Sequence, residues 1–240
     1  GSGLVGSEMC IRDRKPEERQ LVWAAKVACA ERKLVEQYGL DALSYYYHGQ
    51  DGGYYEEIQS GFIVGNSLLT AEGIPCAGEG DIKTNLAMKI SDIIGCGGSF
   101  SEIVAADFNR NTMIIGHDGP FHIAIARQKP ILRGMGVYHG KKGSGVSVEA
   151  KVRSGAVTTL GVTQSREGLK FIVSEGEAKD YPVLMNGNTM THIEFAEAPA
   201  AYMDKWFAEA PTHHCAVSTG HHAEVFRKAA KLMGISCAFV

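Results

Sequence analysis

The chain has 240 residues, of which 45% are hydrophobic and 21% charged, and it carries a net charge of −3. That length suits one large domain or two smaller ones, each with a buried core. The absence of a basic stripe argues against a nucleic-acid partner, and the absence of a bilayer-length apolar run argues against a membrane one.

In chain order, "LVGSEMCIRDR" (Leu4 to Arg14) comes first and fits neither a helical nor a strand period. It coincides with the translated end of a transposase-based sequencing adapter. Residues 1–14 are therefore expected to be an artefactual tail, to be set aside in fold reasoning, with natural sequence from Lys15 and an N-terminal part missing. Pro16, Glu17 and Glu18 then suit a helix start, and Leu21, Ala24, Ala25, Ala28 and Val35 mark one face before a stop at Gly39. "DALSYYYH" (Asp41 to His48) reads as a short strand, and residues 54–70 read as a second helix. After "GIPCAGEGD" a third helix is predicted, with Ile82, Leu86, Ile90 and Ile93 on its apolar face and Gly95 closing it. This alternation predicts part of a layered α/β domain over residues 15–98.

From Ser99 the period changes. "EIVAADF" and "TMIIGHD" read as a hairpin, followed by strands "GVSVEAKV", "AVTTLGVTQ" and "LKFIVSEGEA". Two late helices (199–210 and 222–233) and a last strand "SCAFV" complete the chain. The expectation is α+β overall: the partial α/β domain, then an antiparallel β-meander over residues 99–240 that closes in a barrel-like way.

"GMGVYHGKKGSG" (Gly134 to Gly145) lacks P-loop spacing and leads into a strand, so it is read as a loop with Lys141 and Lys142 in solvent. The six cysteines (Cys10, Cys29, Cys76, Cys96, Cys215 and Cys237) form no C-x-x-C pair. They read as small buried residues in a reducing, cytoplasmic compartment. Glu79 stands between two glycines, just before the helix that Asp81 would cap, where the backbone can turn tightly. An even hairpin loop, Arg110–Asn111 or Asn109–Thr112, puts Glu102, Val104, Met113, Ile115 and His117 on one face. His117 then lies opposite Val104 and diagonal to Glu102, close enough for both side chains to converge on one ion. His213 or His214 is a further candidate. His122, His139, His192, His221 and His222 are assigned to solvation or ordinary hydrogen bonding.

"CAGEGDIKT", "SFSEIVAADF", "GHDGPFH" and "PTHHC", in this order, resemble the central and C-terminal parts of the L-arabinose isomerase/L-fucose isomerase superfamily. The resemblance implies a divalent ion, usually Mn²⁺, held by Glu79, Glu102, His117 and His214, with His213 and the His221–His222 pair as rivals for the last position. It also implies Glu79 and Glu102 as the catalytic acid–base pair, a small sugar as substrate, and a homo-oligomeric full-length protein. Two carboxylates with two imidazoles suit Mn²⁺ chemically. The reading is a fragment of a metal-dependent aldose–ketose isomerase of the L-arabinose/L-ribulose type. The alternatives are an L-fucose-type isomerase, metal-assisted hydrolysis by the same ligands, and an inactive sugar-binding or assembly fragment.

One prediction concerns the tail alone. Deleting residues 1–14 should leave the melting temperature unchanged within error, because a terminal tail without buried contacts contributes little. A clear drop on deletion would show that the segment packs.

Overall fold

The structure, a computed structural model, describes residues 15–46, 54–135, 137–138, 141–142, 145–182 and 187–240. The tail expectation for residues 1–14 and the assignment of His139 lie outside these residues. So do the end of the first expected strand (Tyr47 and His48) and the solvent placement of the Lys141 and Lys142 side chains.

Helix α1 (Glu18–Tyr38) opens with a capping box between Glu17 and Gln20 and stops at Gly39, whose φ of 59° is left-handed. The buried face is Gln20, Ala24, Val27, Glu31 and Val35. Leu21 and Ala25, expected inside, are exposed. Strand β1 (Leu43–Ser44) follows and pairs in parallel with β2 (Cys76–Ala77). The single helix expected over 54–70 is two, α2 (Tyr54–Gln59) and α3 (Phe62–Ala71). They break at Gly61, where a Cβ would come within 2.7 Å of Val27 on α1.

Helix α4 (Ile82–Ile94) has the expected ends, Asp81 as N-cap and a left-handed Gly95, but not the expected face. Thr84, Asn85, Ala87, Met88 and Ser91 are buried, while Ile82 and Ile93 are both 74% exposed. The reason is close approach: a Cβ on Gly98 would stand 2.9 Å from the Met88 backbone and 3.0 Å from Ser91. Only a face of mostly small residues fits there, so Ile82, Leu86 and Ile93 of the expected stripe turn outward while Ile90 packs half-buried at its edge.

The remaining strands are β3 (Ser99–Asp107), β4 (Thr112–Gly116), β5 (Ile131–Gly134), β6 (Val137–Tyr138), β7 (Lys141–Lys142), β8 (Val146–Glu149), β9 (Gly155–Ser165), β10 (Gly168–Lys179), β11 (Thr191–Phe195), β12 (His214–Thr219) and β13 (Ser236–Phe239). Helices α5 (Pro199–Ala208) and α6 (Ala223–Met233) flank β12 in sequence. Seven strands form one sheet in the order β11-β4-β3-β12-β9-β10-β13, and an extra β10–β11 pairing closes six of them into a ring. The barrel is therefore α+β in setting and antiparallel around the ring, with β13 added in parallel to β10.

Its order is not that of a simple meander. β12, late in the chain, inserts between β3 and β9, whereas β8 pairs with β5 in a separate ribbon. The segment expected as a loop at 134–145 contains the short β6–β7 ladder.

Alternation along the strands makes two apolar clusters. One face carries Met113, Ile115, Val157, Ile172, Ile193, Cys215 and Val217. The other carries Phe100, Leu160, Val162, Phe171, Val173 and Ala216, and packs against Ala87 and Met88 of α4 and Phe226 and Ala230 of α6. Because helices cover the second face, the first faces into the ring. Both clusters also take side chains from before residue 99, namely Ile63 in the first and Ala77, Ala87, Met88 and Cys96 in the second.

Between α1 and α3 lies a buried carboxyl. Oε2 of Glu31 has no hydrogen-bond partner among the described residues, and a Cβ on Gly65 would overlap it. Burial pushes the Glu31 pKa up to about 8. From the usual carboxylate value up to pH 8 the folded state keeps a proton that the unfolded state has lost, so stability falls as pH rises through this window. Glu31→Gln should therefore stabilise the fold more at pH 8 than at pH 5, by about 2–4 kcal/mol at the higher pH, and so raise the melting temperature more there. Thermal melts at the two pH values check this, and an equal effect at both would refute it.

Candidate metal centre

The site lies on the outer face of the barrel, where the turn before α4 meets β3 and β12. In the β3–β12 ladder His214 stands directly opposite Glu102, and Ala216 opposite Phe100. Glu102 and His214 thus share the face that α4 covers.

His117 reaches them by a different route from the one expected. The hairpin loop has four residues, 108–111, one position earlier than either expected loop, and Val104 is bulged out of register. Glu102 consequently pairs with Gly116, while Met113 and Ile115 face into the ring with Ala106 and Ile103. The expected common face of Glu102, Val104, Met113, Ile115 and His117 does not form. Instead the chain leaves the ladder after Gly116, where a Cβ would collide with the Thr189 carbonyl at 2.1 Å.

Thr189 then holds His117 by its backbone. Its N–H and its hydroxyl both donate to the His117 carbonyl, at 3.0 and 2.8 Å, and its hydroxyl oxygen lies 3.2 Å from the His117 N–H. The freed ring packs 4.6 Å from Phe100 and 5.2 Å from the His214 ring. Phe100 is fully buried and forms a floor beneath both imidazoles.

Glu79 comes from the Gly78–Gly80 turn. Its own φ is 56°, an uncommon value for a residue with a side chain. Gly78 lies against Phe100 and the Tyr45 hydroxyl, which a Cβ there would meet at 3.0 and 3.3 Å. In this conformation the Glu79 carboxylate stands 3.8 Å from Nε2 of His117, 3.8 Å from Nε2 of His214 and 3.4 Å from Nε2 of His213. His117 and, to a lesser degree, the other two histidines hold the Glu79 pKa at about 2 against the opposing effect of burial.

Burial also opposes charge on His117, but Asp118, Glu79 and Glu102 outweigh it and raise its pKa to about 9. Asp81 follows the same balance. Burial raises it, and the hydrogen bonds from His214 and Thr84 bring it down to about 2.

Among the described residues two groups of side chains could hold an ion, Glu79–His117–His214 and Glu102–His213–His214, and they share His214. Between them they contain all four residues expected from the sequence. The adjacent histidines differ sharply in setting: His214 is fully buried, whereas the His213 side chain is 64% exposed. Nε2 of His214 is buried with no hydrogen-bond partner among the described residues. A neutral imidazole nitrogen in that state, facing carboxylate oxygens, fits a metal ligand. The donors are nitrogen and oxygen only. The neighbouring Cys215 faces the other way, and burial raises its thiol pKa to about 12, so it offers no thiolate.

Of the other histidines, His192 bonds to Thr112 at 2.8 Å, and His221 and His222 contact backbone carbonyls. His122 departs from the expectation: it is buried, and among the described residues neither ring nitrogen has a hydrogen-bond partner, although Nε2 lies 3.8 Å from the Asp92 carboxylate. Sequence reading missed Phe100 as the floor and Tyr45 beside Gly78. Asp81 was legible only as a helix cap.

Residues 116–239 match the family described as L-fucose isomerase, C-terminal domain. The chain belongs to this family. It is also similar to the sulfoquinovose isomerase of Alkalicoccus urumqiensis, with 30% identity over 126 residues, or 52% of this chain and 28% of that protein. The chain thus matches little more than a quarter of that relative's length. The family match contains His117 and His214 and begins after both glutamates. No helix among the described residues is long and apolar enough to cross a membrane.

If these residues form one centre, Mn²⁺ should raise the melting temperature of the chain by binding only the folded state. Glu102→Ala and His117→Ala should each reduce that increment. His122→Ala should lower the baseline stability, since it empties a buried site, and leave the increment intact. Thermal melts with and without Mn²⁺ decide the matter, and a loss of the increment in His122→Ala equal to that in His117→Ala would contradict the assignment.

Proposed function

We propose that the whole protein to which this chain belongs is a metal-dependent aldose–ketose isomerase. Glu79, Glu102, His117 and His214 would hold the ion, for which Mn²⁺ fits the donor set. The observation that carries this reading is the buried, partnerless Nε2 of His214 facing the Glu79 carboxylate beside His117. When bound, the ion supplies Lewis-acid polarisation of the sugar carbonyl.

The chain's own residues divide the remaining work. Glu79, with its pKa near 2, stays ionised at neutral pH and is a weak base, which suits it to charge stabilisation. Glu102, which approaches from β3 rather than from the turn that carries Glu79, takes the base role: it removes the C2 proton of the open-chain aldose and returns a proton to C1, while a hydroxyl proton passes between O2 and O1. Positioned carboxylates contribute about 10²–10⁴-fold to such transfers. Phe100 and the two buried imidazoles close one side of the site to water, so the sugar enters from the side of Glu79 and His213. A neighbouring subunit of a cytoplasmic homo-oligomer would complete the pocket.

For the substrate, the family and the relative favour an L-fucose-type or sulfonated aldose over L-arabinose. Turnover of L-fucose, sulfoquinovose and L-arabinose by the full-length protein ranks them. In D₂O the ketose should carry deuterium at C1. Glu102→Gln, in preparations shown to retain metal, should slow incorporation and turnover together. A ketose without solvent deuterium, once shielding of the transferred proton is checked by partial-exchange kinetics, would favour a hydride shift. Absence of turnover on any aldose by the metal-loaded full-length protein would favour a binding role.

A further inference from the structure

This inference builds on the metal reading above and concerns Asp81. As N-cap of α4, Asp81 accepts from the Thr84 N–H through Oδ1 at 2.9 Å and from the Thr84 hydroxyl through Oδ2 at 2.8 Å. The cap itself needs only one side-chain oxygen. Oδ2 also lies 3.0 Å from Nδ1 of His214, a residue 133 positions further along the chain.

An ionised carboxylate can only accept, so a neutral His214 bonded to it must carry its proton on Nδ1. The other nitrogen, Nε2, then presents a lone pair. That nitrogen is the buried, partnerless atom 3.8 Å from the Glu79 carboxylate. The His214 side chain has no solvent exposure, so water offers no competing partner for Nδ1. We infer that Asp81 is a positioning residue: it fixes His214 in the Nδ1–H tautomer and so keeps Nε2 ready to ligate the metal.

His117 is arranged differently. Its Nδ1 accepts the Gly119 N–H at 2.9 Å, with Asp118 at 3.2 Å. The Gly119 N–H calls for a lone pair on Nδ1, the Asp118 carboxylate calls for a proton there, and Glu79 faces Nε2, so no single partner presets the tautomer of His117. His214 is thus the ligand preset before metal arrives, and the first turn of α4 with its preceding loop supplies both a ligand, Glu79, and the orienting group for another.

The test uses histidine ¹⁵N NMR of the metal-free chain together with calorimetric titration of Mn²⁺. His214 should give the Nδ1–H signature in the native protein. Asp81→Asn keeps a capping oxygen for Thr84 and turns its amide towards Nδ1, so the signature should change to Nε2–H. Mn²⁺ affinity should fall about 10–100-fold, the usual cost of losing such a partner. Asp81→Ser, which still caps but is too short to reach the ring, should lose affinity similarly. Thr84→Val, which removes only the hydroxyl partner, should keep the native tautomer and affinity. An Nε2–H signature in the native protein, or native affinity in both Asp81 variants, would overturn the inference. Absence of Mn²⁺ binding by the native chain would overturn the metal reading, while the spectrum would still decide the tautomer assignment on its own.

Discussion

The complete burial of the His214 ring is the constraint on which the rest of the site depends. A polar ring without access to water must find partners in the protein or leave a costly orphan. One nitrogen meets Asp81 across the gap between the barrel and α4, and the other is aimed at Glu79. The strand bearing this ring lies between β3 and β9, paired with β3 from His214 and with β9 from Ala216. Register then puts Glu102 opposite it, and Phe100, one step along the same face, closes the space beneath.

Around this fixed ring the other components are brought in by local departures from regular structure. A bulge at Val104 rotates Glu102 relative to the hairpin partner strand. A glycine at 116, pressed against the Thr189 carbonyl, lets the chain leave the ladder one residue before His117. Glu79 takes a left-handed conformation between two glycines. Such conformations have a cost of roughly 1–3 kcal/mol each where a side chain is present, and they persist only when neighbours over-determine them. Here the neighbours are Phe100, Tyr45 and the three histidines. Their concentration in one place is what an organised site looks like in a fold that is otherwise regular.

The site is closed below and open above. The buried imidazoles and Phe100 form a dry floor, and Glu79 and His213 remain partly accessible. This asymmetry matches a centre that holds an ion deeply and meets a small polar molecule from one side. It also explains why the two glutamates are held so differently, one drawn into the charge of the histidines and the other standing on a paired strand. Membership of the L-fucose isomerase C-terminal-domain family covers the two histidines. The glutamates come from the preceding segment, and only the packing of that segment onto the barrel brings the four together.

The sequence by itself determined the features that depend on a few neighbouring residues. Helix ends at Gly39, Asp81 and Gly95, the change of period at Ser99 and the hairpin were all legible, while Glu79, Glu102, His117 and His214 were singled out together only through the family resemblance. Caps and strand alternation act over one turn or one strand, so the signal sits within the segment. Tertiary structure decided what depended on distant partners. It turned α4 so that small residues faced the barrel, because Gly98 leaves no room for isoleucines. It split the second helix against Val27, bulged β3 to shift the face of Glu102, and drew β12 between strands that precede it by some 50 to 110 residues. It chose His214 over His213 for burial, and it turned a helix cap into the partner of a histidine 133 positions away. Two adjacent histidines are chemically identical in the sequence; His214 opens β12 and is paired with β3, whereas His213 stands just before the strand, and this makes one a buried ligand candidate and leaves the other largely exposed.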